Sequence, residues 1–231
     1  MDRLRQFIGL PHVLPSGIKI YSPTIDAIAE IGEGVYNLYL SLATFNKYDI
    51  VTSLFKLSPE ELSEINKFDD YEFLISTPLL PEIENALSFF TQSKVVFRDF
   101  AFYIRDNIFV SVATYNEISN KIRELNGLSE KTKLKFRNAR AERDYYRLQE
   151  LRKKYNTDDT LSLKDMCSIL CNAEGNGINI FNIGKLTIYQ VYEHFERLSV
   201  KESHRRMLKV WANGHLKEDF KLQDWLVKTK L

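Results

Sequence analysis

The chain has 231 residues, 44% of them hydrophobic and 27% charged, with a formal net charge of +1. A chain this long can bury a sizeable core without disulfides or metals, and this mixture excludes disorder over most of its length. No run approaches the roughly 20 apolar residues a membrane span needs, and Met1 to Leu10 is too charged for a signal peptide.

Taken in chain order, residues 1–16 read as an arm with little periodicity, and Gly17 to Tyr21 alternates apolar and polar as a short strand does. Ser22-Pro23-Thr24 then opens a helix, with Asp26 in its first turn and Ile25, Ile28 and Ile31 on its buried stripe. Gly32-Glu33-Gly34 interrupts it. A second helix carries Val35, Leu38, Tyr39, Leu42 and Phe45 at helical spacing. Ser58-Pro59-Glu60-Glu61 is a capping-box start for another, and a further helix is expected over Pro81 to Phe90. From Lys94 to Val112 the composition turns β-branched and aromatic around Arg105-Asp106-Asn107, which predicts a β-hairpin. Such a hairpin is marginal alone, so it should pack on helices or join the strand near Ile18.

Thr114 to Glu117 reads as a second capping box, and its helix ends near Asn126-Gly127. A charged stretch from Glu130 to Tyr155 has only a narrow apolar stripe and reads as a long, solvated helix. Ser162 starts a short helix containing Cys167 and Cys171, the only two cysteines. Their four-residue spacing in a helix does not give the approach a disulfide needs, so they read as packed, reduced thiols of a reducing compartment. After a polar loop from Asn172 to Asn179, Leu186-Thr187 leads a helix through Leu198, and a last one passes Met207 and Trp211 to Asn213-Gly214. The expected fold is α+β and predominantly α-helical, with a short strand near 18–21 and a hairpin near 94–112. The expected organisation is an N-terminal α+β domain (1–128), a basic helical connector (129–156) and a small helical C-terminal domain (157–231).

Charge is unevenly placed. Thr24 to Phe90 holds twelve acids against three bases, whereas Lys131 to Lys154 holds ten bases against three acids. That separation can steer partners or draw copies of the chain together. Arg137, Arg140 and Arg143, interleaved with Phe136, Tyr145 and Tyr146, suit either an acidic protein surface or nucleic acid.

Motifs for bond-making chemistry are missing from the sequence. Gly184-Lys185-Leu186-Thr187 matches only the end of a phosphate-binding loop: the position five before Gly184 is Asn179, and the threonine comes one residue late. His12, His194, His204 and His215 include no pair at i,i+4 spacing, and no CxxC or HExxH occurs. No GxSxG elbow exists. Glu60-Glu61 and Asp69-Asp70 sit where carboxylates favour helix starts. The expectation is a non-enzymatic protein with no catalytic residue, cofactor or metal site.

Two segments carry a likeness. GIKIYSPTIDAIAEIGEGVYNLYLSLATFNKYDI, Gly17 to Ile50, resembles the opening of tail-assembly chaperones and related tail morphogenesis proteins from tailed phages and prophages of Gram-positive bacteria. LTIYQVYEHFERLSVK, Leu186 to Lys201, resembles a later element of the same proteins. The resemblance implies binding to tape-measure or tail-tube proteins in the host cytoplasm, and it assigns no catalytic residue. Tyr36 and Tyr39 in the first segment, and Tyr189, Tyr192 and Arg197 in the second, are the partner-binding residues it suggests, joined by Arg137, Arg140 and Arg143 of the basic stretch. The alternatives are a nucleic-acid-binding accessory protein using residues 131–154, and a structural component kept in the virion tail or neck.

Overall fold

Short-range turns organise the first residues more than their sequence suggests. The computed structural model describes residues 3–55, 61, 65, 68–128, 137, 138, 140, 141, 144, 145, 147, 148, 161–213 and 224–229. Within 1–16, read as an arm, a short helix α1 (Arg3–Phe7) is followed by β1 (His12–Val13), which pairs antiparallel with β2 (Lys19–Ile20). The turn between them rests on Gly17, at φ 80°, whose N–H donates to the Leu14 carbonyl at 2.8 Å. Two-residue strands are too short to leave a periodic signature. The strand near Ile18 therefore finds its partner in the arm and not in the later sheet.

Helix starts follow their caps. Thr24 Oγ1 accepts from Ala27 N at 3.2 Å and opens α2 (Ile25–Ile31). Gly32, at φ 85°, ends that helix and begins α3 (Glu33–Ala43), a backbone angle that favours glycine. Asn46 caps α4 (Lys47–Ile50), which widens into a π turn over Val51–Phe55. Asp69 caps α5 (Asp70–Ile75), accepting from Tyr71 N at 2.9 Å, and Pro81 lies in the first turn of α6 (Leu80–Thr91). The expected start at Ser58-Pro59 lies outside the described residues.

The region read as a hairpin is a three-stranded antiparallel meander: β3 (Val95–Arg98), β4 (Ala101–Ile104) and β5 (Asn107–Val110). The extra turn is Asp99-Phe100, with φ of 48° and 57°. Positive φ at both central residues is the hairpin turn normally written with Asn-Gly, and a phenylalanine there hides it. The sheet packs on helices, β3 lying against α6.

Next comes α7 (Tyr115–Leu125), ending at Asn126 and Gly127. Thr114 does not cap it as a box. Its hydroxyl accepts instead from Ser111 N at 3.0 Å, closing the preceding turn. The described residues Arg140, Ala141, Asp144, Tyr145, Arg147 and Leu148 have helical backbone. Ser162 and Asp165 form a capping box for α8 (Leu163–Asn172). After a 3₁₀ turn at Ile183–Lys185, Thr187 and Gln190 form another for α9 (Ile188–Ala212). Two expected helices are thus one of 25 residues. Ser199 to Ser203 contains neither glycine nor proline, so nothing breaks it.

The main core gathers α3, α6, α7 and the inner face of the sheet. At its centre the Phe45 ring lies 5.3 Å from Tyr71, 5.7 Å from Tyr115 and 6.2 Å from Phe102, centroid to centroid. Lys47 is only 4% exposed. Its Nζ donates to Phe68 O at 2.7 Å and Ile65 O at 3.0 Å and pairs with Asp70 Oδ1 at 3.1 Å. Burial of such an ammonium is tolerable because its protons have acceptors. A second cluster, built on Leu170, Ile178, Ile183 and Val191, holds α8 against the first half of α9.

Candidate protein-interaction site

The two segments that resemble tail-assembly chaperones meet in space. Pro23-Thr24-Ile25 lies antiparallel to Leu186-Thr187-Ile188: Ile25 N donates to Leu186 O at 2.9 Å, and Ile188 N to Pro23 O at 2.8 Å. Each threonine of this bridge also caps a helix, Thr24 for α2 and Thr187 for α9. Gly184 completes the joint, since a Cβ there would collide with the Asp26 carboxylate. That packing role accounts for the glycine of the Gly184-Lys185-Leu186-Thr187 run. Gln190 Nε2 donates to Phe7 O at 2.8 Å and ties α1 to the same place.

The expected partner-binding residues are distributed around this joint. Tyr36 is buried, and its hydroxyl donates to Asn126 Oδ1 at 2.9 Å. Burial, then the neighbouring Tyr192 and Glu33, push its ionisation far above the usual tyrosine value. Tyr192 is half-buried and fills the space beside Gly127, where a Cβ would strike its ring. The structure thus brings Tyr36 and Tyr192 together at the end of α7. Tyr39 is half-buried and tilts onto Phe89 at 5.8 Å, and Tyr189 is buried at the start of α9. Arg197 is half-buried, near Glu193 at 3.8 Å, and donates to Val227 O at 2.6 Å. Arg137 and Arg140 are exposed, Arg140 with Asp144 at 3.9 Å, whereas Arg143 lies outside the described residues.

The cysteines lie half-buried on α8, and burial pushes the Cys167 thiol up, with Cys171 adding to the effect. A thiol held protonated is a weak nucleophile. Burial lowers His194, which packs on the Phe7 ring at 5.8 Å, and lowers His12, where Lys121 adds to the effect. Among the described residues no cluster of three or more histidine, cysteine or carboxylate side chains is placed to hold a metal, and no helix is long and apolar enough to cross a membrane.

A prominent exposed apolar pair lies at the end of what the sequence reads as a polar loop, Asn172 to Asn179. Three asparagines brace the chain between α8 and the 3₁₀ turn. Asn176 Nδ2 donates to Leu170 O at 2.8 Å, while its Oδ1 accepts from Ile178 N at 2.9 Å. Asn179 Oδ1 accepts from Phe181 N at 2.9 Å. Asn182 Oδ1 accepts from Asn179 N at 2.8 Å, and its Nδ2 donates to Gly177 O at 2.8 Å. Asn side chains suit this work because they mimic a backbone turn. Ile178 and Ile183 are the buried feet of the loop in the second core cluster. Between them Ile180 is 74% exposed and Phe181 88% exposed. A loop already ordered loses little entropy on binding, and a projecting aromatic ring is the usual anchor of a contact. The legible signal was Asn176, Asn179 and Asn182 at three-residue spacing around two large apolar residues.

Residues 152–230, which take in α8, this loop and α9, match a family model described as YomV second domain, a phage-associated family. No curated protein and no solved structure matches the chain. The C-terminal part of the molecule is therefore similar to a phage-associated domain, and the braced loop lies inside the similar stretch.

Proposed function

We propose that this chain is a bacteriophage tail-assembly protein, a chaperone or morphogenesis factor that works in the host cytoplasm by binding a tape-measure or tail-tube protein, without enzymatic chemistry. The observation that carries the reading is the asparagine-braced loop holding Ile180 and Phe181 in solvent within the phage-associated stretch. Exposing two large apolar side chains costs solvation, and a rigid frame to keep them exposed gains nothing unless a partner covers them. Two further points support the reading. The chaperone-like segments close on one another as a single joint, and phage proteins that guide assembly need contact surfaces in place of a reactive pocket.

Co-expression with the tape-measure, tail-tube and neck proteins of the same phage tests it. The wild-type chain should retain a tail component, and Phe181→Asp should lose most of that retention while the helical circular dichroism stays unchanged. Failure of the wild-type chain to hold any tail or neck protein overturns the reading. Mass spectrometry of purified particles separates a transient chaperone from a component kept in the virion.

A second reading rests on the exposure of Arg137 and Arg140 within a strongly basic stretch. It is a nucleic-acid-binding accessory role. It requires DNA or RNA retention that falls with salt and weakens when Arg137, Arg140 and Arg143 are changed to Glu; equal binding by that triple variant removes it.

A further inference from the structure

The 25-residue helix α9 gains a second apolar row halfway along, while Val210 stays on the side of the first. In the first half Ile188, Val191, Tyr192, Phe195 and Leu198 turn toward the body and join its two core clusters. At about 100° per residue these directions fall in one arc. In the second half Val200, Met207, Leu208 and Trp211 form a row on the roughly opposite side. Leu208 is 43% exposed and Trp211 54% exposed. Four bases, Lys201, Arg205, Arg206 and Lys209, line one flank and the back of this half, against the single acid Glu202, which Arg205 holds at 2.9 Å. Arg197 heads the same row, three residues before Val200, and its guanidinium takes Val227 O at 2.6 Å. The chain's C-terminal segment is thereby held beside the row, with Trp225, Leu226 and Val227 all exposed. Trp211 lies in the row, and Trp225 lies on the segment held at the row's head.

We propose that the distal half of α9, together with Trp225-Leu226-Val227, docks an acidic amphipathic helix of another protein. The apolar row calls for an apolar stripe of similar width, and the bases beside it call for carboxylates. A second copy paired through this half would set bases against bases. A phosphate backbone would leave Val200, Met207 and Leu208 without apolar partners. The C-terminal segment at the head of the row extends its apolar surface there, and a row along one helix matches the stripe of a second helix. The proposal concerns the chemistry of a second contact surface and stands whether or not the braced loop meets a tail protein.

Tryptophan emission of the full chain reads this surface without a label. The probe is a synthetic helical peptide of about four heptads with Leu at the a and d positions and mostly Glu elsewhere. It should shift the emission to the blue and saturate. The Lys201→Glu/Arg205→Glu variant, which reverses the two bases on the row's flank, should bind at least about tenfold more weakly with unchanged helical circular dichroism, since both side chains are exposed. Each of four results overturns the proposal: no shift with the acidic peptide, an equal shift with the Lys counterpart, full affinity in the charge-reversed variant, or a larger response to phosphatidylglycerol vesicles or a single-stranded oligonucleotide. An emission shift produced by raising the protein concentration alone, and not reversed by the peptide, also overturns it and assigns the face to a second copy.

Discussion

Aromatic side chains at the centre of the N-terminal body and at the far reaches of the C-terminal part have opposite fates. In the N-terminal body Phe45, Tyr71, Phe102 and Tyr115 pack ring on ring, and the tyrosine hydroxyls end on protein acceptors: Tyr71 on Phe100 O at 3.0 Å, Tyr115 on Asp69 Oδ2 at 2.8 Å. In the C-terminal part Phe181, Trp211 and Trp225 stay exposed. Hydropathy alone does not separate the groups. A tyrosine goes inside where a carbonyl or carboxylate waits for its proton, since an unpaired buried hydroxyl would cost about 1–3 kcal/mol. A phenylalanine stays outside where the backbone carrying it is fixed by other bonds. The centre of the body is thus a scaffold in which buried tyrosine hydroxyls have protein acceptors, whereas the C-terminal part leaves large rings in solvent.

The contrast is broken most strongly at the centre of the body. Phe45→Ala removes the ring that touches Tyr71, Phe102 and Tyr115, and should lower stability by about 3–5 kcal/mol, measured by urea denaturation. A loss as small as that of a surface change would mean that the ring cluster is not the body's core.

Alkaline titration should give the next effect. Burial pushes Tyr71 up to about 12, from an unfolded value of about 10. The sign follows from the protonated form being favoured in the fold. The stabilisation is fully present below about 10 and is lost as pH rises through about 12. Burial raises Tyr36 and Tyr115 in the same direction. Tyrosinate absorbance followed alongside circular dichroism should report unfolding in that window, and Tyr71→Phe should flatten the slope there. An unchanged slope would place the coupling in the other buried tyrosines.

Between the two regions lies the joint at Thr24 and Thr187. Thr187→Ala deletes the side-chain cap of α9 and should cost about 1 kcal/mol. Because the two threonines share a bridge, the double variant with Thr24→Ala should depart from additivity. Strict additivity would mean that each cap serves its own helix alone.

Those caps were readable, and so was much of the body. Thr24, Asp69 and Ser162 announce helices because a short side-chain oxygen before an apolar stripe has one dominant use. Gly32 and Gly127 sit where the backbone needs positive φ. What stayed hidden depended on distant contacts or on unusual backbone. The Asp99-Phe100 turn reads as strand because phenylalanine seldom adopts the left-handed region. Thr114 looks like a cap, yet Ser111 claims its hydroxyl. Tyr36 and Tyr192 read as contact residues because a tyrosine at helical spacing does not reveal whether an acceptor such as Asn126 lies across the core. The pairing of Thr24 with Thr187 could not be seen locally at all, being a contact across most of the chain.

The smallest expected change in stability sharpens the contrast from the exposed side. Phe181→Ser replaces a ring that is 88% exposed on a loop whose frame comes from Asn176, Asn179 and Asn182. The ring contributes little to the fold, so stability should move by less than about 0.5 kcal/mol, and Phe181 N keeps its bond to Asn179 Oδ1. Asn182→Ala differs in kind. It leaves the ring in the sequence but removes both bonds that hold the loop's two ends together, at Gly177 O and Asn179 N. If the loop is a preordered contact, both variants should weaken retention of a tail protein, the first by losing the anchor and the second by restoring the entropy of ordering. Thermal denaturation of each variant, run beside the retention assay, distinguishes the cases. A large loss of stability in Phe181→Ser would mean that the ring serves the fold after all, and the contrast between packed and exposed rings would fail at the most exposed large apolar side chain among the described residues.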